Sequence, residues 1–307
     1  MSIHLPKIQT PPPLKAGDTI ALVATARKIE SDALLFAVQL FESWQLKVVW
    51  GETLNKSHHQ FAGTDPERSS DLQQYVAQPD IKAIVCVRGG YGSMRIVDAI
   101  DFAPIMTTPK WLVGYSDVTV LHNHLYQQCH LASIHASMPI NFATNSMESI
   151  ESLRKALFGE SLCYENIPTH PLNRIGMAYA PVVGGNLSLL CANIGTPSEL
   201  DTSGKILFLE DLDEYLYHID RMMVQLKRSN KLTNLAGLMV GGMTDMKDNA
   251  IPFGSNAYEI IAEHTTAYTY PVGFNFPFGH IDDNRAIIHG ARARLNVEEK
   301  HSSLLFQ

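Results

Sequence analysis

The first half of the chain alternates short apolar runs with stretches in which apolar residues recur at helical spacing. Asp18–Ala26 is almost continuously apolar, which is typical of a buried strand, and Ser31–Trp44 carries its apolar side chains about one helical turn apart. Further strands are predicted at Lys47–Trp50, Ala83–Val87, Trp111–Val113 and Ala132–His135, and further helices at Thr64 to about Ala77, Ser93–Ile100, Asp117–Gln128 and Glu148–Phe158. This alternation predicts an α/β fold with a parallel sheet and helices on both faces.

The stretch from Glu160 to Met177 has no regular pattern and contains two prolines. We therefore expect a domain boundary there, with one domain over residues 1–165 and a second over residues 177–307. The predicted strands of the second half are Ala180–Val183, Lys205–Leu209, Leu235–Val240 and Val272–Phe274, its helices are Leu187–Ile194, Tyr217–Arg228 and Ala257–His264, and its tail carries short antiparallel strands at Ala286–His289, Arg292–Val297 and Leu304–Phe306.

Two glycine-containing turns follow neighbouring predicted strands of the first half. One reads Arg88-Gly89-Gly90-Tyr91-Gly92, and the other reads Gly114-Tyr115-Ser116-Asp117 and leads into a helix. A serine on a sharp strand-to-helix turn has the geometry of a nucleophile elbow. A glycine-rich turn on the adjacent strand would supply a further N–H group to an oxyanion, because glycine permits close backbone approach.

Both turns also have simpler interpretations. The glycine-rich turn would bind phosphate at a helix N-terminus, although it lacks the Lys-Ser/Thr ending of a P-loop and the G-x-G-x-x-G spacing. Ser116 would serve as a helix N-cap, and the turn departs from G-x-S-x-G because Val118 stands where the second glycine belongs.

Composition narrows the function classes. The 307 residues are 45% hydrophobic and 18% charged, with a net charge of −7 and no basic run, which argues against nucleic acid and anionic membranes as partners. No apolar stretch approaches about 20 residues, and Met1–Lys15 lacks a hydrophobic signal core, so we expect a cytoplasmic protein. The four cysteines are expected to be reduced, buried thiols, and no metal-ligand spacing is present: Cys86, Cys129, Cys163 and Cys191.

A serine nucleophile requires a base, and the base requires an orienting acid. His280 follows a glycine in a loop where an imidazole is easily aimed, and Glu210 directly follows a strong predicted strand. Considered alone, these residues fit equally ordinary roles, a solvated loop acid for Glu210 and a hydrogen-bonded turn residue for His280.

Motifs along nearly the whole chain resemble the LD-carboxypeptidase family of serine peptidases, the muramoyltetrapeptide carboxypeptidases. They read P-P-P-L-K-A-G-D-T-I-A-L-V-A near the start, F-A-G-T-D-P-E-R-S-S-D-L at Phe61–Leu72, V-R-G-G-Y-G-S-M-R at Val87–Arg95, G-Y-S-D-V-T at Gly114–Thr119, G-G-N-L at Gly184–Leu187, L-E-D-L-D-E-Y-L-Y-H-I-D-R at Leu209–Arg221 and F-G-H at Phe278–His280. Each motif alone is weak, but their joint occurrence in this order is specific.

The resemblance implies a Ser–His–Glu triad in which Ser116 is the nucleophile, His280 the base and Glu210 the orienting acid. The N–H groups of Gly90 and Asp117 would form the oxyanion hole. It also implies a flavodoxin-like N-terminal domain, a C-terminal domain of β-barrel character, a homodimer, and no metal or organic cofactor. The implied reaction releases terminal D-Ala from the L,D peptide bond of peptidoglycan tetrapeptides during cytoplasmic recycling.

An exopeptidase must also hold the carboxylate of the leaving amino acid. Arg88, Asn186 and Arg221 are the candidates, and the simpler role for Arg221 is an ion pair with Asp220 or Glu214. Two other classes stay open. One is the branch of the same family that hydrolyses microcin-type acylated aminoacyl-nucleotides. The other is a non-catalytic protein that binds peptide or phosphate in the same cleft, for which loss of a triad residue would be expected.

The chain departs from the usual family pattern at two positions. Ala24–Arg27 reads A-T-A-R where Pro followed by small residues is usual, and Ile287–Gly290 reads I-I-H-G where a Leu-Pro-Leu-Gly-like run is usual. The second departure follows His280 closely and bears on the substrate.

Overall fold

The apolar runs of the first half form a six-stranded sheet in the computed structural model, which describes residues 8–306. Five strands lie parallel in the order β2-β1-β3-β4-β5, the flavodoxin-like order, so the predicted fold class is confirmed. These strands are β1 (Thr19–Val23), β2 (Lys47–Trp50), β3 (Ile81–Cys86), β4 (Trp111–Gly114) and β5 (Ser133–His135).

Helices cover both faces of this sheet: α1 (Leu35–Ser43), α2 (Asp65–Ala77), α3 (Ala103–Thr107), α4 (Thr119–Cys129) and α5 (Met147–Phe158). Helix α2 begins, as predicted, after Thr64, and it begins with a capping box: the Thr64 hydroxyl accepts from the Glu67 N–H while the Glu67 carboxylate accepts from the Thr64 N–H. The helix predicted at Ser93–Ile100 is wrong. The chain there forms two separate 3-10 turns, and Ile100 is extended; the separate helix α3 then begins with a proline in its first turn.

The second half builds a seven-stranded mixed sheet in the order β10-β9-β8-β7-β12-β13-β6. Its strands are β6 (Cys163–Pro168), β7 (Gly176–Asn186), β8 (Ile206–Leu212), β9 (Gly237–Thr244), β10 (Val272–Gly273), β12 (Arg292–Val297) and β13 (His301–Phe306), and its helices are α6 (Leu187–Ala192), α7 (Leu216–Arg228) and α8 (Ala257–Thr265). Strands β7 to β10 run parallel, whereas β7, β12, β13 and β6 pair antiparallel.

The prediction that Glu160–Met177 is irregular is wrong, as is the expected burial of Cys163, whereas the domain boundary placed there stays a prediction. The stretch contains the edge strand β6 and the first residues of β7. Asn166 of β6 has a φ of 55°, and the β6–β13 register shifts beside it, so the alternation that marks a strand is broken in the sequence. Cys163 lies on the exposed face of β6, whereas the other three cysteines are buried as expected.

An isolated bridge joins the edge strand β10 to the segment before β7. Arg174 exchanges two backbone hydrogen bonds with Val272 of β10, of 2.8 and 3.1 Å. This bridge is the barrel-like feature of the second half, but within residues 8–306 the two edge strands β6 and β10 do not pair with each other, so the sheet is not closed.

The last part of the chain returns to the first sheet. Ile287–His289 forms β11, which pairs antiparallel with β5 as the sixth strand. One apolar core spans both sheets and includes Val113 of β4 and Phe208 of β8, both fully buried. Among the described residues, no helix is both long and apolar enough to cross a membrane.

Candidate active site

Ser116 lies on a sharp turn between β4 and α4. Its φ is +62°, which is rare for a residue with a side chain, and it opens a 3-10 turn over Ser116–Val118. A Cβ atom at Gly114 would lie 2.9 Å from a methyl group of Val118, so glycine is required there for the chain to turn so tightly. The turn leaves Ser116 half-buried at the carboxyl edge of the sheet, as the sequence predicts.

His280 and Glu210 meet Ser116 at this edge. Nε2 of His280 lies 3.1 Å from Oγ of Ser116, and Nδ1 of His280 lies 2.6 Å from Oε2 of Glu210. Since a carboxylate only accepts hydrogen bonds, Nδ1 carries the proton and Nε2 accepts from the serine hydroxyl. The three side chains are therefore joined in one chain of hydrogen bonds.

Burial and neighbouring charges have opposite effects on the pKa values of Glu210 and His280. Burial raises the pKa of Glu210, which is fully enclosed, but the nearby His280 and His135 outweigh burial and hold it at about 2. Burial lowers the pKa of His280, yet the carboxylate of Glu210 outweighs this effect and leaves it above the ordinary value of 6.5. The two groups thus stabilise each other's charged form.

The glycine-rich loop after β3 lies against the nucleophile turn. The carboxylate of Asp117 accepts from the N–H groups of Gly92 at 3.3 Å and Ser93 at 2.7 Å. A Cβ atom at Gly89 would lie 3.2 Å from Oγ of Ser116. Gly90 is exposed with a φ of +112°, which favours glycine. The expected oxyanion donors, the Gly90 and Asp117 N–H groups, thus belong to two turns tied together beside the serine.

Of the candidate carboxylate binders, Arg88 lies in this loop. It is half-buried and donates from Nη1 to the carbonyl of Lys28 at 3.0 Å. Burial and the like charge of Arg27 lower its pKa. Arg27 packs over Gly90, where a Cβ atom would meet its Cδ at 2.6 Å. Sequence reasoning missed Arg27, although the A-T-A-R departure contained it.

Asn186 and Arg221 lie in different surroundings. The buried Asn186 caps α6 through Oδ1, which accepts from the Leu189 N–H, and its Nδ2 donates to Asp211 at 2.8 Å. Arg221 is exposed on α7 and stacks on Tyr217, with its guanidinium 5.5 Å from the ring centroid.

The acids suggested as partners of Arg221 are engaged elsewhere. Asp220 pairs with His264 and Glu214 pairs with His218, each at 2.8 Å. Arg221 therefore forms no ion pair with either acid, and its contact is the ring of Tyr217. The side chain of Asn186 is likewise already bonded, to the Leu189 N–H and to Asp211.

Two further residues near the site were not predicted. The ring of Tyr115 packs on His280 at a centroid distance of 4.8 Å. His135 is fully buried, and its Nε2 lies 3.8 Å from Oε1 of Glu210. The rule that ligands gather at the carboxyl ends of parallel strands points to His135, the last residue of β5. Within residues 8–306, no three His, Cys, Asp or Glu side chains are placed so that they could hold a metal ion together.

Fold and site together define a class of α/β proteins: a flavodoxin-like sheet whose strand-to-helix turn carries a serine hydrogen-bonded to a histidine, which is in turn hydrogen-bonded to a buried glutamate. Residues 20–136 match the family model of the LD-carboxypeptidase N-terminal domain, and residues 179–295 match that of the LD-carboxypeptidase C-terminal domain. The chain belongs to the LD-carboxypeptidase family of peptidases and is an enzyme of that class.

Relatives of known name agree with this assignment. The chain is 35% identical over 300 residues to a probable murein peptide carboxypeptidase of Bacillus subtilis, covering 94% of this chain and 92% of that protein. It is 26% identical to the microcin C7 self-immunity protein of Escherichia coli, covering 96% and 95%. The crystal structure of muramoyltetrapeptide carboxypeptidase from Oxalobacter formigenes superposes with a TM-score of 0.85 at 27% identity, covering 94% and 98%.

Proposed function

We propose that this protein is a serine carboxypeptidase that hydrolyses the L,D peptide bond holding the terminal D-Ala of peptidoglycan tetrapeptides. The observation that carries the proposal is the continuous hydrogen-bond chain from Ser116 through His280 to Glu210. Relatives over nearly the full length that are named as murein peptide carboxypeptidases support the substrate class.

In the proposed reaction, Nε2 of His280 takes the proton of Ser116 as its oxygen attacks the carbonyl carbon of the L,D bond. Glu210 holds the imidazole in the Nδ1–H tautomer and stabilises the imidazolium that forms. The N–H groups of Gly90 and Asp117 stabilise the oxyanion, at about 3 kcal/mol for each donor. His280 then protonates the leaving amine, and water hydrolyses the acyl-enzyme with His280 again acting as base.

The leaving D-Ala carries a free carboxylate, which calls for a cation. Arg88 and Arg27 flank the exposed Gly90, and no acid within residues 8–306 forms an ion pair with either. Arg88 is therefore the preferred candidate for the carboxylate, together with Arg27. Asn186 and Arg221 are weaker candidates because their side chains already have the contacts described above.

The direct test is mass spectrometry of the purified protein incubated with L-Ala-γ-D-Glu-meso-diaminopimelate-D-Ala. The expected product is the tripeptide plus one free D-Ala. The Ser116→Ala variant and a tetrapeptide ending in L-Ala are the controls, and both should stay uncleaved. An intact tetrapeptide with wild-type protein would reject the proposal.

A second candidate follows from the similarity to the microcin C7 self-immunity protein. The same triad would then hydrolyse an acylated aminoacyl-nucleotide. A parallel incubation with aspartyl sulfamoyl adenosine distinguishes the two functions, because a murein carboxypeptidase should leave this compound intact.

The proposal includes a cytoplasmic homodimer that needs no metal or organic cofactor. The triad mechanism uses only side chains and backbone N–H groups, so activity should be unchanged after dialysis against EDTA. Light scattering of the purified protein measures the oligomeric state directly, and a monomer would contradict that part of the proposal.

A further inference from the structure

Behind the triad lies a group of three fully buried histidines, which we call the histidine cluster: His122 on α4, His135 at the end of β5 and His289 on β11. The His122 ring lies 6.3 Å from that of His135 and is stacked on that of His289 at 5.9 Å. His289 belongs to the I-I-H-G run in which the chain departs from the family pattern. The β11–β5 pairing is what brings this run beside His135.

Only His122 has hydrogen-bond partners for its ring nitrogens, whereas His135 and His289 have none. His122 donates from Nε2 to the carbonyl of Gly114 and accepts at Nδ1 from Ser133, both at 2.8 Å. Burial, together with His135, lowers the pKa of His122 to about 3, so it is neutral at neutral pH. Neither nitrogen of His135 has a hydrogen-bond partner, although the side chain is fully enclosed. A buried polar group without a partner is costly, so its presence calls for an explanation.

The same requirement applies to Glu210. Its Oε2 is bonded to His280, but its Oε1 is buried without a partner. Nε2 of His135, at 3.8 Å, is the nitrogen that faces this oxygen. The ring of His135 is held edge-on to Phe208, with centroids 5.0 Å apart, so its direction is set by packing. Catalytic hydrogen bonds are often long in the free enzyme and shorten when substrate is bound.

We propose that His135 is a positioning residue for the triad: its Nε2–H donates to Oε1 of Glu210 and prevents the carboxylate from rotating away from His280. This role rests on the proposed function, because it concerns the orientation of the proposed catalytic base. A donor is suited to this position, since it satisfies the carboxylate oxygen that His280 does not reach.

Removal of the His135 donor should shift the pH dependence of activity in one direction. Without the donor, the negative charge of Glu210 has only His280 to stabilise it, so the pKa of His280 rises further and the acid limb of activity moves to higher pH. The other titratable groups around the pair are Tyr115 from the nucleophile turn, Asp211 from β8, and His122 and His289 from the cluster. Tyr115 is bonded to Asn141, and Asp211 to Asn186, and the variants below change neither contact.

The test compares three variants with wild type. His135→Leu removes the donor, His135→Gln keeps an N–H group on a side chain of similar length, and His289→Leu is the matched control in the same cluster. The readout is the rate at which a fluorophosphonate probe labels Ser116, measured across pH, because it does not depend on the peptide substrate. Melting temperatures are measured alongside.

We expect His135→Leu to label about 10 to 100 times more slowly at neutral pH, with an acid limb at least about half a pH unit higher. Its melting temperature should be no higher than that of wild type, because the substitution leaves the buried Oε1 of Glu210 without its donor. His135→Gln should regain most of the rate and the wild-type limb, and His289→Leu should leave both unchanged.

Two outcomes overturn the role of His135. One is an acid limb of the labelling rate in His135→Leu that coincides with that of wild type. The other is an equal shift of this limb in the leucine and glutamine variants. If the leucine variant fails to fold, ¹⁵N NMR of wild-type protein decides. The Nε2–H tautomer, with a resonance that moves in Glu210→Gln, supports the role, and the Nδ1–H tautomer rejects it. A wild-type protein that the probe does not label rejects the proposed function instead.

Discussion

Ser116 holds a backbone conformation that few residues with a side chain adopt. Its φ of +62° costs about 1–2 kcal/mol relative to an ordinary conformation. The turn is kept in place by Gly114 before it and by the hydrogen bonds of Asp117 after it. This strained conformation lifts the hydroxyl above the sheet edge toward His280. Ser116 therefore lowers the stability of the fold while it places the hydroxyl beside the imidazole.

A pair of substitutions measures this strain. Ser116→Gly and Ser116→Ala both lose the hydroxyl, so both should lose turnover by at least about 100-fold while staying folded. Glycine tolerates positive φ and alanine does not, so Ser116→Gly should be more stable than Ser116→Ala by about 1 kcal/mol in urea unfolding. A Ser116→Ala protein with near-normal kcat would contradict the assignment of the nucleophile.

A substitution at Glu210 tests whether this residue is the acid partner of His280. Glu210→Gln removes the charge beside His280, so we expect kcat/KM to fall by at least about 100-fold. Glu214→Gln is the matched control, since Glu214 is bonded to His218 and should affect mainly stability or KM.

The dependence of kcat/KM on pH tests the same pairing of Glu210 with His280. Glu210 raises the pKa of His280 above 6.5, so the wild-type acid limb of kcat/KM should lie above pH 6.5 and should fall to lower pH in Glu210→Gln. A larger loss of kcat/KM in Glu214→Gln than in Glu210→Gln would show that the loop acids are assigned wrongly.

Among the elements, the glycine-rich loop and the nucleophile turn behave as one unit. Asp117, buried at the start of the turn, binds the Gly92 and Ser93 N–H groups of the loop that follows β3. The buried Arg68 of α2 donates to the Gly92 carbonyl at 2.9 Å and holds the loop from its other side. Both proposed oxyanion donors depend on these contacts.

Asp117→Ala tests this coupling. It leaves two N–H groups without their acceptor, so we expect a loss of about 1–3 kcal/mol in the free energy of unfolding and a lower kcat with little change in KM. Asp98→Ala, which removes an exposed acid from the neighbouring 3-10 turn, should change neither quantity. An unchanged kcat in Asp117→Ala would show that the contacts of Asp117 with the glycine-rich loop are not needed for stabilisation of the oxyanion.

For the whole molecule, both halves of the chain contribute to one site and to one sheet. Ser116 comes from the first half, whereas Glu210, His280 and strand β11 come from the second. The halves are further joined by the hydrogen bond from the Ser149 hydroxyl of α5 to the Asn284 carbonyl, of 2.8 Å.

A fragment of residues 1–165 should therefore neither bind nor hydrolyse the tetrapeptide, and the fluorophosphonate probe should not label its serine. The physical reason is that the base and the acid are missing and the β5 edge loses its partner strand. The full chain under the same conditions is the control. Hydrolysis by the fragment at the full rate would rule out a site shared between the halves.

Local pattern alone determined much of this protein. Continuous apolar runs alternating with helical periodicity predicted the parallel sheet, because buried strands and amphipathic helices each impose their own period. The glycine turn after Val113 predicted the serine on a sharp strand-to-helix turn, since a glycine there permits so abrupt a change of direction. Capping chemistry fixed the start of α2.

Pairing between distant segments was decided only by the tertiary structure. Ser116 and His280 are 164 residues apart, and nothing local to either residue indicates their meeting; the family resemblance suggested it. The bulge at Asn166 concealed β6, and the destination of β11 depends on which sheet edge is free. His135 is likewise an ordinary strand residue in the sequence. It faces Glu210 because the ends of β5 and β8, which belong to different sheets, pack against each other, a relation that exists only after the two sheets have come together.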